Sequence, residues 1–596
     1  MRTSFKVIRR HLILLILLIS SHAHAAALPS FQSIHDQYHS SFASLLDRNG
    51  EIIQMLQLDH SAQRLPWTTL QDLSPAMQNA LLVSEDQRFF QHQGVDWRAM
   101  ASAAWENLVH NTHRGASTLT MQLMGLLDPS LTRNAGGRTY TQKWEQIRAA
   151  RQLEKHWSKA QILEAYLNLV DFRSNLFGIN AAALALFNKP PAALSSAEAS
   201  ILAALLRGPN AKPAIVAERA CGVATQLRPP RPSCADITAL SLQRLAAHPK
   251  VEFTVDLAPE AAQQLLQIPG QRMISSLDIT LQKMALSHLQ SGLNAAAAAV
   301  ILDNHTGEIL VYANIDAHKT NNIITTHPSA SLLQTFLYEL AIEQKRLTAA
   351  TLLDNAPLPV TANATYPDYM ANIPAHDWVS VRTALSSGLN VPAWHALALL
   401  PTPDYAERLH QLGLQPKNDA NTLLALANAY QTIANNGLNQ PASFHVAGLG
   451  KTQRLMSAKA AAIVSNILSN QHTADNDNVG NTDNYYTLSS SPQYAIGYTA
   501  NYTIAVWMNN VSTANATDIW QSITSDLNRM YLSHAPKLSN GIVIQNVRFI
   551  PPIESSRQEL FLPGTEQAVF SPPSTPDSGL FIQPFVSDMS LNYMTQ

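Results

Sequence analysis

The segment Glu85 to Asp96, E-D-Q-R-F-F-Q-H-Q-G-V-D, sets a carboxylate pair, two aromatics and a histidine ahead of a glycine. Glu85 ends the apolar run Ala80-Leu81-Leu82-Val83. Partial loss of water there makes a carboxylate a stronger general base toward a hydroxyl. Further on, G-A-S-T-L-T-M-Q-L, Gly115 to Leu123, is a hydroxyl-rich turn entering a helix. Ser117 or Thr118 can cap that helix, and its first N–H groups suit a phosphate or sugar oxygen. Arg138, Lys143 and Arg148 follow in R-T-Y-T-Q-K-W-E-Q-I-R, at spacings that let a helix carry the cationic charge. S-K-A-Q-I-L-E-A-Y-L-N, Ser158 to Asn168, then presents a second carboxylate, Glu164, between apolar residues.

The elements expected to hold these groups are helices. An apolar pattern at helical spacing resumes through Trp97, Met100, Ala104 and Leu108. At 596 residues the chain has room for two or more domains, and its hydrophobic fraction of 46% excludes a disordered polymer. A net charge of −2 gives no ground for nucleic-acid binding, and no residue cluster has zinc-ligand spacing. Cys221 and Cys234, the two cysteines, flank a proline-rich stretch. In an oxidising compartment they can close a small disulfide loop; otherwise they are two free thiols.

The N-terminus points to such a compartment. Arg2, Lys6, Arg9 and Arg10 precede an apolar core from Leu12 to Ile19, then Ala23-His24-Ala25. The core falls well short of the ~20 residues that cross a bilayer. Residues 1–26 are therefore expected to be a secretory signal, cleaved or kept as an anchor, with the body in a bacterial periplasm. Helical patterning runs over 60–215, and a linker is expected at 216–272. From Met273 the pattern changes, and A-A-A-A-V-I-L-D-N-H-T-G-E-I-L-V-Y-A predicts two strands joined by the turn Asn304-His305-Thr306-Gly307. A second domain is expected over 273–535 and a truncated C-terminal segment over 540–596, ending in a Pro/Ser-rich tail.

Taken in order, the blocks at Glu85, Gly115, Arg138 and Ser158 resemble the peptidoglycan glycosyltransferase domain, family 51, of class A penicillin-binding proteins. The resemblance spans roughly residues 65 to 215 and includes F-N-K-P-P-A-A-L-S-S-A-E-A-S-I-L-A-A-L-L-R-G-P. It implies a multidomain chain, with a mainly α, lysozyme-like glycosyltransferase domain followed by an α/β transpeptidase-like domain. It implies a substrate too: lipid II, whose sugars join a growing glycan strand as polyprenyl pyrophosphate leaves. By the same resemblance Glu85 activates the acceptor hydroxyl, Asp86 and His92 shape its surroundings, and Glu164 acts near the donor phosphates. Lys143 and Arg148 become the pyrophosphate partners, and Ser117, Thr118 and Gln122 line the cleft. No cofactor is implied with certainty; a divalent cation, Mg or Mn, at the phosphates is compatible with the pattern. Implied partners are the inner-membrane surface and other cell-wall synthesis proteins. The residues from Met121 to Leu131 and the Trp97 to Leu108 face offer an apolar patch for that surface. The family's third motif reads R-K-x-x-E, whereas here Gln142-Lys143-Trp144-Glu145-Gln146 replaces its first Arg and closing Glu.

The second domain resembles a penicillin-binding transpeptidase that has lost its chemistry. Such enzymes use S-x-x-K, S-x-N and K-T-G. Here H-P-S-A-S-L-L-Q-T-F-L-Y aligns the nucleophile on Ser331 and the lysine on Gln334, whose amide has no basic lone pair. The second motif survives as Gly388-Leu389-Asn390, and Y-Y-T-L-S-S-S stands where K-T-G belongs. No lysine from residue 321 onward has a serine three positions before it. Two other readings compete with a glycan polymerase: a non-catalytic scaffold, and a lysozyme-like hydrolase, which the transferase-type blocks disfavour.

Overall fold

The computed structural model describes residues 28–110, 117–131, 140–290, 296–356, 377–416, 420–446, 450–469, 485–509, 515–534, 536 and 538–572. The expected signal at 1–26, Arg138 and the tail beyond 572 lie outside these residues. The chain forms two compact units: one of residues up to 43, 57–254 and 268–271, the other of 44–56, 255–267 and 272 onward.

The first unit is helical. Ser74 caps Pro75–Glu85, accepting from the Met77 N–H at 3.1 Å, with proline at the first helical position, where its missing N–H costs nothing. Asp96 accepts from Ala99 N–H at 2.9 Å and starts Trp97–His110. Thr118 caps Leu119–Leu127. Tyr140–His156 follows, and Lys159–Leu169 opens on a capping box of Ser158 and Gln161. A second capping box, Ser195 with Glu198, starts Ser196–Leu206. That helix is buried on almost every side from Glu198 to Leu205 and forms the axis against which Pro75–Glu85 and Pro213–Gln226 pack.

The stretch expected as a linker holds structure of its own. Pro213–Gln226 and Cys234–Arg244 pack within the first unit, and the Cys221–Cys234 disulfide joins them at a Cα separation of 5.2 Å. Both helices are amphipathic, but the proline-rich loop between them hid the pattern. Pro259–Leu265 adds a further helix in the second unit.

The second unit is built on a five-stranded antiparallel sheet, in the order Thr487–Ser490, Tyr494–Tyr498, Tyr502–Met508, Ala297–Asp303, Ile309–Ile315. The expected strand pair is present, with Gly307 at φ +74° closing its turn. Ala297, Ala299 and Ile301 pack on one face with the helices Ile279–Gln290 and Ala516–Met530. Leu423–Ala434 packs on the opposite face, and Ala330–Glu343 adjoins the edge strand Thr487–Ser490. Burial on both faces explains the uninterrupted apolar run. A small sheet of Val543–Phe549, Arg557–Phe561 and Val569–Phe570 docks through Val547, Phe549 and Phe561 onto Ala350 and Leu352. Glu559, fully buried, bonds Arg382 and Arg557; burial opposes its charge, but the two guanidiniums hold its pKa below the usual range.

Candidate functional site

Glu85 is the last residue of its helix, and its side chain keeps 10% exposure. Three donors fix the carboxylate: Ser84 Oγ at 2.9 Å, Gln122 Nε2 at 2.9 Å and Arg207 Nε at 3.3 Å. The Gln122 carbonyl oxygen accepts in turn from the Tyr166 hydroxyl at 2.8 Å. Burial first, and Glu85 second, push the pKa of Tyr166 well up, so the phenol stays a proton donor. Arg207 is 52% exposed, with its guanidinium also on the Ser84 carbonyl. A carboxylate, a carboxamide, a phenol and an exposed guanidinium therefore share one hydrogen-bonded group, drawn from four helix segments.

The segment after Glu85 is tied down. Asp86 faces His92 Nε2 at 3.0 Å and accepts from the Leu119 N–H at 3.0 Å. Thr118 Oγ1 accepts from the Met121 N–H and donates to the Gly94 carbonyl at 2.7 Å. The Leu119 and Met121 N–H groups, expected to face a substrate oxygen, are thus taken by Asp86 and Thr118. The side chains of Asp86, His92 and Thr118 are buried. Arg88 holds Asp96 by two bonds at 2.8 and 2.7 Å. Burial opposes the Asp96 charge, but the Ala99 N–H and Arg88 hold its pKa below the usual range. Gly94 sits at φ +82°, and a Cβ there would lie 2.6 Å from the Ala150 carbonyl oxygen. Only glycine lets this loop lie against Tyr140–His156.

Lys143 donates to Ser117 Oγ at 3.0 Å. Arg148, five residues on, is exposed and lies about 140° round the helix, so the pair does not converge. Gln146 is fully buried and donates to the Met121 carbonyl at 2.6 Å. An ionised glutamate in that place would set a carboxylate against a carbonyl oxygen.

Glu164 stands apart from this group. Its oxygens accept from Trp67 Nε1 at 2.8 Å and the Leu70 N–H at 2.8 Å. Residues two apart on a helix point about 200° apart. Tyr166 reaches Gln122, so Glu164 faces the other way and holds the chain around Trp67. Its carboxylate thus lies outside the hydrogen-bonded group of Glu85. Ser84, Tyr166 and Arg207 were missed by sequence reasoning. Tyr166 lies in the same I-L-E-A-Y-L-N block, and helical spacing alone sets it opposite Glu164.

The apolar patch is only partly as expected. Met121, Leu123, Met124 and Leu131 are core, whereas Phe90, Trp97, Trp105, Leu126 and Trp144 are exposed. Among the described residues no cluster of His, Cys, Asp or Glu could hold a metal ion, and no helix is long and apolar enough to cross a membrane.

In the second unit the expected positions meet. Gln334 is buried in the helix after Ser331 and donates to Asn390 Oδ1 at 2.8 Å. The Tyr430 hydroxyl bonds the Leu332 carbonyl and Thr335 at 2.9 Å each, and also Ser489 of the edge strand. The turns of helix that follow Ser331 are thus tied to Asn390 through Gln334 and to the edge strand through Tyr430.

A family model described as Transglycosylase matches residues 49–228. Penicillin-binding protein 1C of Escherichia coli is 27% identical over 488 residues, covering 74% of this chain and 61% of that protein. A biosynthetic peptidoglycan transglycosylase of Mannheimia succiniciproducens is 36% identical over 163 residues, 27% of this chain and 64% of that one. That of Pasteurella multocida is 41% identical over 143 residues, 24% and 56% respectively. The chain thus spans less than two thirds of each of these relatives. The crystal structure of penicillin-binding protein 1A from Haemophilus influenzae aligns over 89% of this chain and 99% of that one, with a TM-score of 0.54 at 14% identity. At that identity the likeness shows the fold.

Proposed function

From a helical transglycosylase domain at residues 49–228, in a chain resembling class A penicillin-binding proteins, we propose that this protein polymerises glycan strands from lipid II. The observation that carries the reading is the Glu85 carboxylate, fixed by Ser84, Gln122 and Arg207 at the partly exposed end of its helix. In the proposed step Glu85 removes the proton of an acceptor sugar hydroxyl as its oxygen attacks the donor's anomeric carbon. The bond from that carbon to the pyrophosphate oxygen breaks, and polyprenyl pyrophosphate leaves. Exposed Arg207 and half-buried Lys143 supply positive charge to the leaving group. Arg148 is assigned no contact at the reacting atoms, and Glu164 is assigned to holding Trp67 and Leu70.

The second unit is proposed to be inert as a transpeptidase. A nucleophilic serine needs a base, and Gln334 offers only an amide already bonded to Asn390. The chain is proposed to work in the periplasm at the outer face of the inner membrane, with the exposed aromatics at the lipid surface. A non-catalytic scaffold is the second reading, favoured by Gln146 in the place of the third motif's closing acid.

The test is release of polyprenyl pyrophosphate from purified lipid II, followed with the sugar polymer. One pyrophosphate per joined disaccharide supports a polymerase. New reducing ends without pyrophosphate would show a hydrolase, and neither product would leave the scaffold. In parallel, labelled penicillin should leave the native protein unmarked; covalent labelling would overturn the inert second unit.

A further inference from the structure

The Cys221–Cys234 disulfide takes no part in the proposed transfer, but the helix it fastens braces the Glu85 group at two places. Pro213–Gln226 buries Val216, Ala217, Ala220, Val223 and Ala224 and packs on the helices that end at Glu85 and Leu206. At its last residue, Gln226 Oε1 accepts from Gln87 Nε2 at 2.7 Å, two residues beyond Glu85. Two turns earlier, Arg219 lies against Gly208, the neighbour of Arg207. A Cβ on Gly208 would stand 3.2 Å from Arg219 Nη1. One helix therefore touches the residues that follow both partners of the Glu85–Arg207 pair.

The fastening is open to attack. Cys234 begins the helix Cys234–Arg244 and is exposed, whereas Cys221 is half-buried. Within Cys234–Arg244 the buried residues are Ile237 and Ser241, so little apolar contact holds that helix once the bond is broken. The two cysteines are 13 residues apart, and a cross-link at that separation removes much of the freedom of the open chain. The loop between the helices is anchored on the same last turn, where Arg231 Nε donates to the Leu227 carbonyl at 2.6 Å. Cys221 lies five residues before Gln226, so the bond acts on the turn that meets Gln87.

We propose that Cys221–Cys234 is a thiol–disulfide exchange site for a dithiol, and that its redox state sets how firmly Glu85 is held. The regulation rests on the reading of Glu85 as the base; the exchange site rests on the exposed sulfur. One thiol of the dithiol gives up its proton and attacks Cys234 Sγ; the Sγ–Sγ bond breaks, and Cys221 leaves as a thiolate that takes up a proton. The second thiol gives up its proton and attacks the reductant's own sulfur, displacing Cys234, which is protonated in turn. Two electrons and two protons pass to the chain, and the reductant leaves as a disulfide. In the reduced chain Cys234–Arg244 and the loop come free, the last turn of Pro213–Gln226 frays, and Gln87 loses its acceptor. Glu85 is then less well fixed, and turnover slows.

The chain has two cysteines, so a thiol count reads this bond alone. The test treats the folded full chain with dithiothreitol and counts thiols by alkylation and mass. Hydrogen exchange over residues 83–90 is followed beside initial polymerisation rates. Two thiols should appear without global unfolding, exchange over 83–90 should quicken, and kcat should fall about three- to tenfold, as for one lost contact, with KM within about twofold. Reoxidation should restore the rate. The double variant Cys221→Ser, Cys234→Ser should match the reduced chain and ignore dithiothreitol. Gln226→Ala should lose rate while oxidised and respond less to reduction. A disulfide that resists dithiothreitol until the chain unfolds would overturn the exchange site. A raised KM at constant kcat would overturn the action through Glu85. Quickened exchange in a chain that makes no polymer contradicts the proposed function alone. An active chain whose rate ignores reduction contradicts the regulation alone.

Discussion

Gln122 is the residue through which the Glu85 group can be perturbed most informatively. Its amide nitrogen donates to Glu85 at 2.9 Å and its carbonyl oxygen accepts from Tyr166 at 2.8 Å. Gln122→Glu keeps the shape and the acceptor for Tyr166. It replaces the donor with a carboxylate oxygen, so two acids share one site. At a charge separation of about 4 Å and an effective dielectric constant near 20, the repulsion is about 4 kcal/mol, or roughly three pH units. Relaxation and partial exposure reduce that, leaving an expected shift of about one to two units. The low-pH limb of the polymerisation rate, which reports the base losing its proton, should move up by that amount. Activity on that acid limb should then fall, by up to about 10- to 100-fold well below the limb, and recover as pH rises. Gln122→Ala is the control: it removes the donor without adding charge, so the rate falls and the limb stays closer to its native position. Initial rates on lipid II at fixed ionic strength from pH 5 to pH 10 provide the measurement. An unmoved limb in Gln122→Glu, with activity retained, would refute Glu85 as the titrating base.

Other consequences concern stability and the division of labour between the acids. Gly94→Ala forces a left-handed backbone and a Cβ against Ala150, for a combined cost of about 3 kcal/mol, read as a fall in denaturation midpoint. Glu559→Gln leaves Arg382 and Arg557 facing a neutral group and should cost about 3 to 5 kcal/mol. The folded pKa of Glu559 is depressed, so its contribution is complete above the unfolded carboxyl value and is lost as pH falls through the folded one. The native protein should therefore lose stability on acidification more steeply than Glu559→Gln. Glu164→Gln leaves one of the Trp67 and Leu70 donors without an acceptor, a loss of about 1 to 3 kcal/mol in stability. Polymerisation should persist at temperatures where that variant stays folded; its abolition there would return Glu164 to the reacting centre.

Much of this arrangement was legible because local rules govern it. The caps at Ser74, Thr118, Ser158 and Ser195 are short-range, and so is the strand–turn–strand ending at Gly307. The carboxylate at Glu85 was visible because an acidic pair ending an apolar run is uncommon. What closes around it was less visible. Arg207 lies 122 residues away and Gln122 37 away, and no local pattern reports such a meeting. The surroundings of Glu164 were hidden because a carboxylate between apolar residues looks alike whether it faces a substrate or an indole N–H. Its angle to Tyr166 was available from the sequence, but which face turned inward was a matter of tertiary packing. The helices at 213–244 were obscured for a different reason: prolines and a cysteine broke the periodicity where a disulfide and a loop join two packed helices.

The measurement closest to the central claim is polymer formation from purified lipid II by the native protein and by Glu85→Gln, side by side, with both shown to be folded. The native protein should form glycan chains, and Glu85→Gln should form none, because its amide cannot take the acceptor's proton. Chain formation by Glu85→Gln at the native rate would contradict the role given to Glu85. Absence of chains from the native protein, under conditions that support a related transglycosylase, would contradict the polymerase reading itself.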